Sequence, residues 1–270
     1  MKNRTWPWVF AALPLALLRP LSPVYGQDGS LAYSKDTLRV ECQACGPFRV
    51  NSYLVYDTRA KEAALIDAGS EVDRLLATIE SRALELKYIF LTHCHQDHVA
   101  GLPALKKRFP QARLCWSRQE FSDYEYYRDW RKVFDAPSVA SWEKDPSMAA
   151  MMDFDYASIP RPDVLIKDKQ TFRLGAWSVQ VSRTPGHSRG GSTFSVAGVL
   201  FPGDLLLYHA TGYLEYNLCS KEQIVESIRK LYARFPDEAV ICSGHGQSST
   251  IGYEREHNRN VTGAKVTWVP

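Results

Sequence analysis

The run Thr92-His93-Cys94-His95-Gln96-Asp97-His98 places three imidazoles and one carboxylate within six residues, directly after the apolar stretch Tyr88-Ile89-Phe90-Leu91. Three further candidates lie far downstream, each in a glycine-flanked turn: His187 after Thr184-Pro185-Gly186, Asp204 after Pro202-Gly203, and His245 between Gly244 and Gly246. The chain has seven histidines, and five of them fall in these motifs. Imidazole and carboxylate in this density suit zinc, iron or manganese; calcium and magnesium prefer oxygen donors alone. His93, His95, Asp97, His98, His187, Asp204 and His245 are therefore the candidate metal ligands, and Asp97 is in addition the candidate catalytic residue. Seven ligands are too many for one tetrahedral ion and natural for two ions that keep room for water. A metal-bridging hydroxide can then attack a carbonyl without a serine or cysteine nucleophile. Gly-x-Ser-x-Gly, the usual setting of such a serine, is absent.

Positioning these groups requires strands that end where the ligands begin. Apolar runs predict strands at Leu38–Val40, Phe48–Tyr56, Ala63–Ile66, Tyr88–Leu91 and Arg113–Trp116. A second set is expected at Val164–Ile166, Thr171–Leu174, Trp177–Ser182, Ser192–Val196, Val199–Phe201 and Ala239–Cys242. Helices are expected from Glu71 to Glu85, capped by Ser70, and from Leu102 to Phe109, stopped by Pro110. Another is expected from Lys221 to Phe235, where Ser220 and Gln223 have capping-box spacing. Residues 117–161 break this rhythm with Phe121, Tyr124, Tyr126, Tyr127, Trp130, Phe134 and Trp142, then Met148–Met152. They form an expected helical insertion, serving as a lid or as cover for a sheet edge. The pattern occurs twice, which predicts an α/β fold of two similar halves, each a mixed sheet covered by helices.

The first residues have the three parts of an export signal: Lys2 and Arg4, the apolar stretch Trp6 to Leu18, and small or turn-forming residues up to Gly26. Cleavage after Gly26 predicts a periplasmic or secreted protein with no stable membrane association. Residues 1–26 hold Lys2, Arg4 and Arg19 and no acid, so without them the formal charge of +3 falls to zero. No basic stripe is left to recommend nucleic acid as a partner; a small-molecule substrate is expected. About 244 residues remain, enough for one large domain, residues 27–270. Of six cysteines, Cys42 and Cys45 are spaced for a bridge, a metal or two buried thiols. Cys94 alternates with His93 and His95 and is expected to pack away from them.

In combination, His93-x-His95-x-Asp97-His98 followed by His187, Asp204 and His245 resembles the metallo-β-lactamase fold superfamily, and in particular its glyoxalase II-like (hydroxyacylglutathione hydrolase-like) members. Asn51-Ser52-Tyr53-Leu54-Val55, Ile66-Asp67-Ala68-Gly69, Ser243-Gly244-His245-Gly246 and Thr250-Ile251-Gly252-Tyr253-Glu254 support the match, which runs from about Leu38 to Asn258. The resemblance implies a four-layer αββα sandwich and two Zn2+ per chain, with iron or manganese as alternatives. It implies His93, His95 and His187 on one metal, Asp97, His98 and His245 on the other, and Asp204 bridging. It also implies that Asp67 orients the ligand loop and that a thioester, ester or lactone is hydrolysed.

Other residues have two readings. Arg189 either faces a substrate carboxylate or is solvated, and Tyr208, Tyr213 and Tyr216 either line the pocket or pack. His209 and His257 are expected to be ordinary histidines, and Glu254 to belong to a helix near the terminus. The chain ends 25 residues after His245, where glyoxalase II carries a helical domain that grips glutathione. The run after Asp204 also lacks the family's Gly-Arg-x-Asp turn, so glutathione recognition is in doubt. Competing readings are a mononuclear iron persulfide dioxygenase using His93, His187 and Asp204, a β-lactamase, and a metal-binding protein without catalysis.

Overall fold

The computed structural model describes residues 31–127, 136–146, 154–212, 218–262 and 267–268. Residues 1–26, Tyr213 and Tyr216, and the patch Met148–Met152 lie outside them, as do Trp130 and Phe134.

Strands β1 (Leu31–Lys35), β2 (Leu38–Cys45), β3 (Val50–Asp57), β4 (Glu62–Ile66), β5 (Glu85–Phe90), β6 (Arg113–Ser117) and β7 (Val164–Ile166) form one sheet in chain order. Its first four strands are antiparallel neighbours and its last four are parallel. The second sheet has the order β13-β12-β11-β10-β9-β8, from β8 (Thr171–Leu174), β9 (Trp177–Arg183), β10 (Ser192–Val196), β11 (Val199–Gly203), β12 (Val240–Ser243) and β13 (Ser249–Thr250). Here β11 and β12 are the parallel pair.

Alternation along the strands explains why the sheets stack. In β3, Tyr53 and Val55 join an apolar cluster shared with Phe172, Phe194 and Phe201 of the second sheet. Leu54 and Tyr56 point the other way, into a cluster with Leu75 and Ile79 of helix α1 (Asp73–Ser81) and Leu102 and Leu105 of α3 (Leu102–Arg108). A strand apolar on both faces must be covered on both faces. Phe90 is the hinge of the inner layer: it is fully buried, with ring centroids 5.0 Å from Phe172 and 4.8 Å from Phe194. Burying one such ring contributes about 1.5–3 kcal/mol. A third cluster covers the outer face of the second sheet, with Ile224, Ile228 and Leu231 of a long helix (Lys221–Arg234) against Leu200 and Ile241. The result is four layers, helix–sheet–sheet–helix.

The element ends differ from the sequence reading where distant atoms intervene. Helix α1 begins at Asp73, and Ser70 does not cap it. Glu71 sits at φ 62°, which breaks the helix before it starts. The first N–H groups, of Arg74 and Leu75, instead find Gln43 Oε1 on β2 at 3.1 and 3.2 Å. Ser220 does cap its helix, accepting from Gln223 N at 3.2 Å. Glu254 lies in the helix Ile251–His257, fully buried, and accepts from His209 N at 3.0 Å and Asn258 Nδ2 at 2.8 Å. Short elements absent from the sequence reading include β1, β13 and the single helical turn α2 (Gln96–Val99). Among the described residues no helix is long and apolar enough to cross a membrane.

All six cysteines are free, and all but Cys219 are buried. Cys42 and Cys45 are therefore two buried thiols, and Cys94 packs into the core. Burial pushes the Cys42 and Cys115 thiols up to about 12 and raises Cys45, Cys94 and Cys242 as well. Thiols, unlike thiolates, react slowly with disulfide reagents. Titration of the native protein with a chromogenic disulfide at pH 8 should therefore show about one fast thiol per chain, and about six after denaturation. Only four thiols after denaturation would instead report a Cys42–Cys45 bridge.

Candidate metal centre

The loops that carry the candidate ligands leave the same edge of the sandwich, most of them from strands in the parallel part of a sheet. Asp67 follows β4, the His93–His98 cluster follows β5, Asp204 follows β11 and His245 follows β12. His187 follows β9, which runs antiparallel to β10 and delivers its loop to that edge. Hydrogen bonds between the halves lock the edge together: Ser192 N donates to Thr92 O at 3.0 Å, and Asn51 N to Gly244 O at 2.7 Å. The Asn51 side chain donates to Ser243 O and Gly246 O at 3.1 and 2.9 Å, cradling the turn that carries His245.

The structure brings all seven candidate ligands together. Donor atoms form three overlapping groups, His93–His95–His187, His93–His98–Asp204 and Asp97–His98–His245, each within 4.8 Å. His95 Nδ1 lies 3.0 Å from both His93 Nε2 and His187 Nε2. His245 Nε2 lies 3.1 Å from Asp97 Oδ2 and 3.4 Å from Asp204 Oδ2. Asp204 Oδ2 is also 3.7 Å from His187 Nε2, which puts this carboxylate between the outer groups. Ligands about 2.1 Å from a tetrahedral ion stand roughly 3.3 Å from one another, so the spacing is that of a metal cage.

Two further observations fit a cation. His98 Nε2 and Asp204 Oδ1 are buried without a hydrogen-bond partner, 3.5 Å apart. A buried polar pair left this way is costly unless something charged sits between them. Gly244 keeps that space open: a Cβ there would stand 2.1 Å from Asp204 Oδ1 and 2.9 Å from His98 Cε1.

Outer contacts aim the imidazoles inward. Asp67 accepts from Thr92 N and His98 Nδ1, each at 2.8 Å, leaving His98 Nε2 for the centre. Thr92 Oγ1 meets His93 Nδ1 at 3.0 Å, and Phe48 O accepts from His245 Nδ1 at 3.0 Å. These partners share one role, fixing which nitrogen carries the proton.

The electrostatics divide the site. Burial, reinforced by neighbouring imidazoles, holds His93 and His95 well below the ordinary histidine range. Burial also acts against charge on His98 and His245, yet the surrounding carboxylates outweigh it: Asp97 and Asp67 hold His98 well up, and Asp204 with Asp97 raises His245 to about 10. Conversely, burial raises Asp97, but His98 and His245 hold it at about 2.

Arg189, read from sequence as a substrate or surface arginine, is half-exposed, and its charged end is engaged by a buried carboxylate. Its guanidinium Nε donates to Asp123 Oδ2 at 2.9 Å, and a second nitrogen reaches Asp123 Oδ1. Tyr208 stacks against both His209 and Tyr253, its hydroxyl 3.0 Å from that of Tyr253. Two participants escaped the sequence reading, Thr92 and Glu120. Thr92 stands at the head of the cluster; for Glu120 no spacing gives a signal.

A cavity of about 380 Å³ opens beside Asp97, walled by Cys45, Pro47, Phe48 and Phe154, with Glu71 and Gln96 as polar members. Phe48 is 40% exposed, the one large apolar side chain so exposed among the described residues.

The model of the Metallo-beta-lactamase superfamily matches residues 45–245, which hold all seven candidate ligands. The chain belongs to that superfamily. It is a metal-dependent hydrolase of the family, and its His/Asp clusters fit a dinuclear metal site. It is 28% identical over 229 residues to hydroxyacylglutathione hydrolase GloC of Haemophilus influenzae, covering 82% of this chain and 97% of that protein. A second relative is the probable polyketide biosynthesis zinc-dependent hydrolase PksB of Bacillus subtilis, 24% identical, with 74% and 75% of the two chains covered. The crystal structure of BLEG-1 B3 metallo-beta-lactamase superposes with a TM-score of 0.65 at 26% identity, covering 83% of this chain and 100% of that one.

Cation binding must displace the protons of His98 and His245. Calorimetry of zinc binding in buffers of different ionisation heat should therefore show release of about one to two protons per chain near pH 7. Affinity should rise from pH 6 to pH 8. Binding with no proton release would contradict this electrostatic account.

Proposed function

We propose that this chain is a dinuclear zinc hydrolase that cleaves a thioester, ester or lactone carbonyl. The observation that carries the reading is the convergence of seven donor side chains into overlapping groups at one sheet edge. His93, His95 and His187 would hold one ion, Asp97, His98 and His245 the second, with Asp204 between them. A bound cation pair lowers the pKa of water towards neutrality and polarises the carbonyl under attack. The name of PksB supports zinc, and that of GloC supports an acyl thioester.

The protein's own part is positioning and proton handling. Asp67, Thr92 and the Phe48 carbonyl keep the imidazole lone pairs aimed inward. Asp97 lines the cavity, and the carboxylate oxygen that it would not give to the ion is placed to accept a proton during hydrolysis. The apolar wall of Pro47, Phe48 and Phe154 receives the acyl portion and excludes water from it. Of the charged groups among the described lining residues, Glu71 is the one not assigned to an ion, so an anionic acyl tail that reaches it meets like charge. This favours neutral acyl groups. Residues 1–26 have the features of an export signal, and on that basis we assign the activity to the periplasm or the medium.

Metal analysis of protein purified without chelator should give about two zinc ions per chain. A panel of thioester, lactone and β-lactam substrates should show the highest kcat/KM on thioesters with neutral acyl groups. Asp204→Ala should lower that value by at least about 100-fold. One iron per chain, with oxygen consumed on a persulfide, would overturn the reading, and a preference for a chromogenic cephalosporin would move it to β-lactam hydrolysis.

A further inference from the structure

The helix Arg118–Tyr127, here α4, opens the stretch read from sequence as an insertion, and its first turns lie under the metal centre. Glu120 is fully buried. Its Oε2 accepts from Cys94 N, between His93 and His95, at 2.8 Å. Its Oε1 accepts from Gly190 N, three residues after His187, at 2.6 Å. One carboxylate thus ties together the two loops that supply the three-imidazole group. The second loop is pressed against the helix: a Cβ on Gly190 would stand 2.5 Å from Glu120 N. One helical turn on, Asp123 is buried as well and takes the Arg189 guanidinium from the same loop. Residues i and i+3 share a helix face, so α4 presents two carboxylates to one loop.

The other metal position has different supports. His245 is held by the Phe48 carbonyl and by the Asn51 cradle of its turn. The Glu120 carboxylate accepts from Cys94 and Gly190 and that of Asp123 from Arg189 and Gln119, and all of these lie away from Asp97, His98 and His245.

We propose that Glu120 is a positioning residue that sets the spacing of the His93, His95 and His187 donors, so that α4 governs one metal position and not its neighbour. Backbone amides of both loops are fixed by hydrogen bonds to one rigid group, and losing it lets the loops separate. The inference rests on the dinuclear reading above. It concerns how tightly each position fills, and it needs no assumption about the substrate.

The test is titration of the metal-free protein with cobalt(II), followed by calorimetry and by the visible absorption of the bound ion. His187→Ala marks which binding event belongs to the three-imidazole position, and His245→Ala marks the other. Glu120→Gln keeps the volume but turns an amide N–H towards a backbone donor. It should weaken the His187-dependent event by about 10- to 100-fold, as loss of an outer contact to a ligand does, and shift its absorption band. The His245-dependent event should stay within about threefold. Asn51→Ala should show the reverse pattern. Arg189→Ala, a change at a half-exposed side chain, should weaken the same event as Glu120→Gln by a smaller factor. Equal weakening of both events by Glu120→Gln, or unchanged binding with only a lower melting temperature of the metal-free protein, would overturn the proposal. A wild-type protein that takes up a single cobalt ion would instead refute the dinuclear reading, which separates the two failures.

Discussion

Five imidazoles and two carboxylates are held so close that their donor atoms stand 3.0 to 3.7 Å apart, and most of them are buried. Without a cation, that arrangement is poor chemistry: basic nitrogens face one another, and a carboxylate oxygen and an imidazole nitrogen lack partners. Burial and neighbouring imidazoles disfavour charge on His93 and His95, while the acids favour it on His98 and His245. A pair of divalent ions resolves both halves at once, replacing the protons and giving every lone pair a partner. The rest of the fold holds these donors together.

Two stacked sheets do so by presenting strand ends. Parallel neighbours deliver the loops of β4 and β5 to one edge and those of β11 and β12 to the same edge. The inner aromatic layer around Phe90 fixes how the sheets face each other. Cross-links such as Asn51 to Gly244 and Ser192 to Thr92 turn that general alignment into atomic positions. Outer carboxylates then do the fine placement, Asp67 at His98 and Glu120 at the backbone beside His93, His95 and His187. The ligands are local to their loops; their geometry is the property of the whole sandwich.

This division explains what could be read in advance. The convergence of these seven side chains was legible because metal chemistry demands particular residue types, and because glycine turns beside apolar runs mark strand ends. Strands such as β8 and β10 were legible because both are bounded by turn residues. What escaped notice depends on contacts between remote segments. Ser70 had the chemistry of a helix cap, yet Gln43 from β2 supplies it. Arg189 had the chemistry of a substrate clamp, yet a buried Asp123 claims it. Glu120 stood in an aromatic- and charge-rich stretch that resembled a separate insertion, and nothing in its spacing disclosed that it would meet Cys94 and Gly190. Proximity between distant residues is the quantity that one-dimensional patterns carry least.

The central claim is that two cations share this cluster with Asp204 between them. Anomalous diffraction from crystals grown with zinc, recorded on both sides of the zinc edge, tests it directly. The account predicts two peaks per chain, one within bonding distance of His93, His95 and His187, the other of Asp97, His98 and His245, with Asp204 touching both. A single peak at full zinc occupancy, or peaks away from these side chains, would contradict it.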